Sequence, residues 1–456
     1  MLSYMLLLAA TAVAIVVVCT LMQAYTLTKR NIPGPFLTKF SSLWYLSRIW
    51  TRQCHLEMIN LHKQHGPLVQ VAPNEYSISD AEAIKPIYGH GTRFTKARHA
   101  NFFVDHIPQR HAQRRRQLAS MYSMSNLIHY ELATMECADF LKERLHEIAQ
   151  ERTACGKRIG FLNNGVDEIG AFATLNGAQA YISLVGVYYE LHPLMFSIQQ
   201  FFSNFGLGGN GLNAMINFSE VQVKKRQVLL EDIDRKPAPS DDFLAKILAR
   251  REESPESFSM DEVLDSCAMN LIAGSDTTAI SLTAIFWFLI RNPQALCQLR
   301  EEIDAKMGEQ EEPRPLPFKE TQAMPYLQAV IKEAIRLHSP AGISMARIVP
   351  KGGATIAGHY LPEGVRSTGV NPWVTHIDPN VYGPDAQVFR PERWIDSDPE
   401  QLKRMERILE ISVLVPQLVC HFDLNMVHPE QKLVCDNVFL VKQKNILCYV
   451  NDRVEL

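Results

Sequence analysis

From Asp261 to Ile290 the chain is apolar over most of a helical circumference, and Asn292-Pro293 stops it, which predicts one long helix through the middle of the protein. Within that helix, Ala273-Gly274-Ser275-Asp276-Thr277-Thr278 sets an acid and two hydroxyls in apolar surroundings, beside a glycine that lets another group approach the backbone closely. Buried polar groups are costly unless they are satisfied or used. Two readings are open. The threonine hydroxyls bond back to the preceding turn, or Asp276 and Thr277 are catalytic groups that deliver protons in a site that otherwise excludes water.

Most of the remaining chain also reads as helix. His129 to Arg152 carries apolar residues at helical spacing, and a helix over about Pro325–His338 places Glu333 and Arg336 three apart on one face. Such a pair is usually a solvated surface ion pair. Arg393, downstream in Phe389-Arg390-Pro391-Glu392-Arg393-Trp394, gives the pair a third member and turns it into a candidate buried network. Gly66-Pro67-Leu68-Val69-Gln70-Val71-Ala72-Pro73-Asn74 alternates like a strand between turn residues, and short β-prone segments come after Ala341. The fold class expected is mainly α with a smaller β region. No internal repeat or low-complexity tract is visible.

Composition narrows the function. At 46% hydrophobic residues a large core is available, and although the length suggests about three domains, large single folds override that prior. A net charge of −3 with 21% charged residues leaves no basic footprint for nucleic acid. Nine scattered cysteines, an odd number without Cys-x-x-Cys, argue against a disulfide framework and a structural zinc site. Met1 to Thr28 contains no charge, and Met5–Met22 is apolar apart from two threonines and a cysteine, enough for a membrane-spanning helix. A cleaved signal peptide is the alternative, but its positive start is missing. Lys29 and Arg30 after the apolar run keep the remainder of the chain on the cytosolic side. The organisation expected is an anchor over 1–28, a Pro-rich linker over 29–36 that Pro33 and Pro35 stiffen, and one large domain over 37–456.

Taken in order, the central-helix motif, Glu333-Ala334-Ile335-Arg336 and Pro391-Glu392-Arg393-Trp394 resemble those of microsomal cytochrome P-450 enzymes of filamentous fungi, in the pisatin demethylase and benzoate para-hydroxylase group. Ile32-Pro33-Gly34-Pro35-Phe36, Gly352-Gly353-Ala354-Thr355-Ile356-Ala357-Gly358 and Gly369-Val370-Asn371-Pro372-Trp373-Val374 extend the resemblance over nearly the whole chain. It implies a cytochrome P-450 fold behind an N-terminal transmembrane helix, in the endoplasmic reticulum membrane with the catalytic domain cytosolic. It further implies a secondary-metabolism monooxygenase with haem b, O2, electrons from NADPH through a membrane reductase, and an apolar small-molecule substrate. By position, Asp276 and Thr277 would deliver protons to bound dioxygen, and His111, Arg115 and Arg347 would pair with the haem propionates. Glu333, Arg336 and Arg393 would form a structural triad. Arg114 and Arg116 would face solvent and help dock an acidic reductase. Phe102, Phe103, Val104, Ile107, Ala268, Ile272 and Ala341 to Ser344 would face the substrate.

One mark of the family is missing. Its iron is held by a cysteine thiolate in a loop resembling Phe-x-x-Gly-x-x-x-Cys-x-Gly. None of the nine cysteines has glycine two places after it, so no metal ligand is assigned, and the loop reads as cut out between Arg407 and Ile408. Cys420 comes after text that belongs beyond such a loop and reads as a small buried hydrophobe. A second break is read at 156–158, before Gly160-Phe161-Leu162. The sequence thus supports a monooxygenase whose chain as written is inactive, or a non-catalytic membrane-anchored splice variant, relic or mis-spliced gene model. A hydrolase or non-haem metal enzyme finds no Gly-x-Ser-x-Gly and no His-Glu-x-x-His, and His359 and His376 read as loop residues. If an intact enzyme is encoded, full-length transcript sequencing will find messages with extra coding sequence between Arg407 and Ile408. Direct joining in every message removes that version.

Overall fold

The computed structural model describes residues 18–89, 91–96, 108–123, 171–188, 191–204, 219–221, 223–228, 243–253, 258–308, 316–398 and 421–453, with scattered positions between 131 and 143 and at 255, 401–402 and 419. The architecture is mainly helical with small sheets. The breaks read at 156–158 and 407–408, Cys420 and the substrate-facing candidates Phe102 to Ile107 fall outside the described residues, as does most of the helix expected over 129–152. Residues 18–29 are helical, but most of the expected anchor lies in 1–17, also outside them. Among the described residues no helix is long and apolar enough to cross a membrane.

The linker is part of the fold. Gln70 N donates to Pro33 O at 2.8 Å, a Cβ on Gly34 would collide with the Gln70 carbonyl, and Ile32 is buried with Leu68 and Tyr76. Two helices come next, α1 (Leu43–Trp50) and α2 (Cys54–His65), the latter ended by Gly66 at φ 90°, a conformation that favours glycine. Strands β1 (Leu68–Ala72) and β2 (Glu75–Ile78) form a hairpin, Leu68 opposite Ile78, which reverses through Asn74 at φ 57°. They join β3 (Thr95–Lys96), β4 (Arg347–Ile348) and β7 (Arg366–Val370) in a five-stranded sheet of order β1-β2-β7-β4-β3, in which β2 and β7 run parallel. The segment that alternates like a strand is β1, and all residues of β1 and β2 are buried, so the sheet is covered on both faces here. Ala354–Ile356 (β5) and His359–Leu361 (β6) make a separate hairpin.

The helical body includes α3 (Pro108–Leu118), α4 (Ala171–Val187), α5 (His192–Asn204), α6 (Phe243–Glu253), α7 (Met260–Arg291), α8 (Pro293–Gly308) and α9 (Pro325–Leu337). The central helix α7 opens with a capping box, in which the Ser259 hydroxyl accepts from Glu262 N while the Glu262 carboxylate accepts from Ser259 N, and it yields to α8 at Asn292-Pro293. Ile285 and Leu289 of α7 pack with Leu299 and Ile303 of α8 and with Leu327, Val330, Ile331 and Ala334 of α9. Full burial of each large aliphatic side chain is worth about 1.5–3 kcal/mol, so this cluster carries much of the helical body.

The C-terminal strands Phe422–Met426 (β8) and Cys448–Asp452 (β11) pair with each other, and Val434–Val438 (β9) pairs with Leu440–Lys444 (β10). The β9–β10 hairpin is fixed to the segment after α9. Val441 N donates to Pro340 O at 2.9 Å, His338 Nε2 donates to Val441 O at 2.9 Å, and Asn437 Nδ2 donates to Gly342 O at 3.0 Å.

Three buried histidines mark this junction. His55 and His338 meet the Trp373 ring edge-on, and His376 Nδ1 donates to Arg336 O at 3.1 Å. Burial depresses the pKa of each to about 4, aided at His55 by the charge of His338 and opposed at His338 and His376 by hydrogen bonds to carbonyls. The unfolded chain takes up these protons below about pH 6.5, whereas the folded chain does so only near pH 4. Their contribution is therefore fully present above pH 6.5 and is lost as pH falls toward 4, by on the order of 3 kcal/mol per histidine. Urea unfolding at pH 7 and pH 5 is expected to show a lower midpoint at pH 5, and a flat profile between them would contradict this burial.

Candidate functional site

Glu333, Arg336 and Arg393 are 0%, 1% and 1% exposed, so their charges must satisfy one another. The Arg336 Nε and Nη2 donate as a fork to the two Glu333 oxygens at 2.8 Å each. Arg393 Nε donates to Glu333 Oε1 at 2.9 Å, Arg390 N to the same oxygen at 3.0 Å, and Trp394 Nε1 to Oε2 at 2.9 Å. The remaining guanidinium donors reach backbone: Arg336 Nη1 to the carbonyls of His376 and Ala386, and Arg393 Nη1 to that of Tyr382. One carboxylate on α9 thereby holds the segment from His376 to Trp394 against the helix. Asp385 extends the network to Arg393 and Arg390; burial alone would raise its carboxyl, but those two cations hold it below the ordinary value.

Asp276 and Thr277 lie mid-way along α7. Asp276 is buried, and its Oδ2 accepts from Gln179 Nε2 at 2.6 Å and from Lys442 Nζ at 2.7 Å. Thr277 Oγ1 donates to Ala273 O at 2.7 Å, the back-bond of an ordinary helical threonine. Ala273 and Gly274 are exposed, and a Cβ on Gly274 would meet open space. The acid and the hydroxyl are thus neighbours in sequence that take separate partners. Nothing in the sequence near Lys442 or Gln179 signals this engagement, because the partners lie 166 and 97 residues from Asp276.

Of the residues expected at the propionates, Arg115 and Arg347 stand in different surroundings. Arg115 is exposed on α3; His111 sits on the same helix, with its side chain outside what the structure describes. Arg347, on β4, is half-buried with its guanidinium 4.8 Å over the Tyr88 ring and Nη1 donating to Ala346 O at 3.1 Å. Burial lowers its pKa, and among the described residues no carboxylate pairs with it. Such a cation could receive an acid group. Arg114 reaches Glu262 at 3.5 Å and ties α3 to the start of α7; Arg116 is exposed. Ala268 is buried, and Ala341, Ile343 and Ser344 are half-buried around Gly342.

A thiolate-ligated haem requires a sulfur held deprotonated in polar or electropositive surroundings. The described cysteines do not fit. Burial pushes the Cys54 thiol up to about 12 and that of Cys435 up to about 11, and it raises Cys448 as well. Cys19 and Cys297 are exposed; Cys267 packs among apolar residues where α6 and α7 meet. Cys137, Cys155 and Cys420 lie outside the described residues, and in sequence none of them has glycine two places after it.

The cytochrome P450 family model matches residues 175–406. Over 442 residues the chain is 31% identical to a pisatin demethylase of Fusarium vanettenii, covering 88% of this chain and 86% of that relative. It is 28% identical over 470 residues to the cytochrome P450 monooxygenase cicH of Emericella nidulans, covering 90% and 91% of the two chains. Identity to the cytochrome P450 monooxygenase gsfF of Penicillium aethiopicum is 27% over 473 residues, covering 93% of each.

Glu333→Gln keeps the shape of the network but removes the charge that two buried guanidinium groups require. The substitution is expected to cost roughly 3–5 kcal/mol, measured by denaturant unfolding. Glu253→Ala, which breaks an exposed pair with Arg250, is expected to cost under about 1 kcal/mol. Similar losses for the two variants would mean that the buried network has no special weight.

Proposed function

The chain belongs to the cytochrome P450 family, and from that premise we propose that its gene encodes a monooxygenase of fungal secondary metabolism whose polypeptide, in this sequence, carries out no oxygen chemistry. The reaction of the lineage would be insertion of one oxygen atom into an apolar small molecule, with electrons from NADPH through a membrane reductase. Haem b is the cofactor the family implies. Residues 1–28 would anchor the chain in the endoplasmic reticulum membrane, with the domain in the cytosol.

The observation that carries this reading is the sulfur inventory: none of the nine cysteines has glycine two places after it or the Phe and Gly of the family loop before it, and burial raises the thiols of Cys54, Cys435 and Cys448 rather than favouring a thiolate. The engagement of Asp276 by Lys442 and Gln179 agrees with it, because the carboxylate oxygen already accepts from two donors of the chain itself. Glu333, Arg336 and Arg393 would act as a structural triad that keeps the scaffold together in the absence of turnover.

The full chain, co-expressed with a fungal reductase and supplied with haem precursor, is expected to give no reduced carbon-monoxide band of the thiolate type. A variant carrying a Phe-x-x-Gly-x-x-x-Cys-x-Gly loop inserted between Arg407 and Ile408 is expected to gain that band. A thiolate band from the unaltered chain, with NADPH-dependent turnover, would overturn the proposal.

A further inference from the structure

The engagement of Asp276 has the form of a filled binding site. An ammonium group carries three donors and is best held by a carboxylate together with neutral oxygens. Lys442 Nζ lies 2.7 Å from Asp276 Oδ2 and 2.7 Å from Asn176 Oδ1. The Gln179 amide orients the same carboxylate at 2.6 Å, while its own Oε1 is buried and without a partner among the described residues. Asp276 and Gln179 are both more than nine-tenths buried, and the Lys442 side chain is 21% exposed. Three separate elements contribute: Asn176 and Gln179 from α4, Asp276 from α7, and Lys442 from β10.

The backbone that carries Lys442 is fixed before its charge is considered. Val441 next to it is buried and bonded to Pro340, and Gln443 after it donates to Ile280 O of α7 at 2.9 Å. The hairpin therefore sets the Lys442 backbone at a definite place beside the central helix, so that pairing costs only the rotamer freedom of the side chain itself.

We propose that Asp276, Asn176 and Gln179 form a receptor for a primary alkylammonium group, and that Lys442 of the β9–β10 hairpin is its built-in occupant. The hairpin closes the acid of the central helix with the chain's own cation. The ligand class is set by the donors: an ammonium bearing N–H bonds on a short aliphatic stem is accepted, and a quaternary ammonium is not.

Lys442→Ala removes the stem beyond Cβ and leaves the oxygens. Calorimetric titration and thermal melting of the full chain are expected to show propylammonium binding to Lys442→Ala with a rise in melting temperature. No such response is expected from the unaltered chain, from Lys442→Ala/Asp276→Asn, or from any of them with tetramethylammonium. A folded Lys442→Ala that ignores propylammonium, or a response that persists without Asp276, would overturn the proposal. A second measurement uses the unaltered chain alone, so that it decides even if Lys442→Ala fails to fold. Amine-reactive labelling read by mass spectrometry is expected to modify Lys442 at least about tenfold more slowly than exposed Lys432. Equal rates would likewise overturn it.

Discussion

A single buried carboxylate, Glu333, organises this molecule. It accepts from two guanidinium groups, an indole N–H and a backbone N–H, and so joins the most buried face of α9 to a segment some sixty residues later. Burying three charges costs desolvation that only near-complete hydrogen bonding offsets. The donors left over are spent on carbonyls of His376, Ala386 and Tyr382, which leaves that segment little freedom to sit anywhere else. The His376 whose carbonyl receives one of these bonds returns another from Nδ1 to Arg336 O, and its burial, against the pull of that bond, keeps the ring neutral.

From that fixed point the rest is built by packing. α9 shares its apolar face with α7 and α8, and its C-terminal His338 and the Pro340 beyond it seat the β9–β10 hairpin. The hairpin in turn carries Lys442 to Asp276. The scaffold network and the central acid are therefore linked through one continuous path of backbone and side-chain hydrogen bonds, although they serve different ends. Holding the fold together requires only that charges be matched; oxygen chemistry in this family requires in addition a sulfur donor.

Much of the scaffold was legible because its signals are local. Helical periodicity with the Asn292-Pro293 stop places the central helix at Asp261–Ile290 against an observed Met260–Arg291, and Pro325 at the first turn marks the start of α9. Glu333 and Arg336 share a face by spacing alone. What was not legible depends on distant pairing. Two-residue strands such as Thr95–Lys96 and Arg347–Ile348 exist only through their sheet neighbours. Lys442, in the strand text Leu440-Val441-Lys442-Gln443-Lys444, reads as a solvated charge until the fold brings it to Asp276. The back-bonded state of Thr277 was one of two readings the sequence left open.

We propose that scaffold and chemistry have come apart in this chain, the charge network being retained and the family's cysteine loop missing from the sequence. Electron paramagnetic resonance of the ferric, haem-reconstituted full chain tests this most directly. The prediction is a spectrum without the low-spin signal of thiolate ligation, whether or not porphyrin is retained. A thiolate-type low-spin signal that disappears when one of the nine cysteines is changed to serine would contradict it.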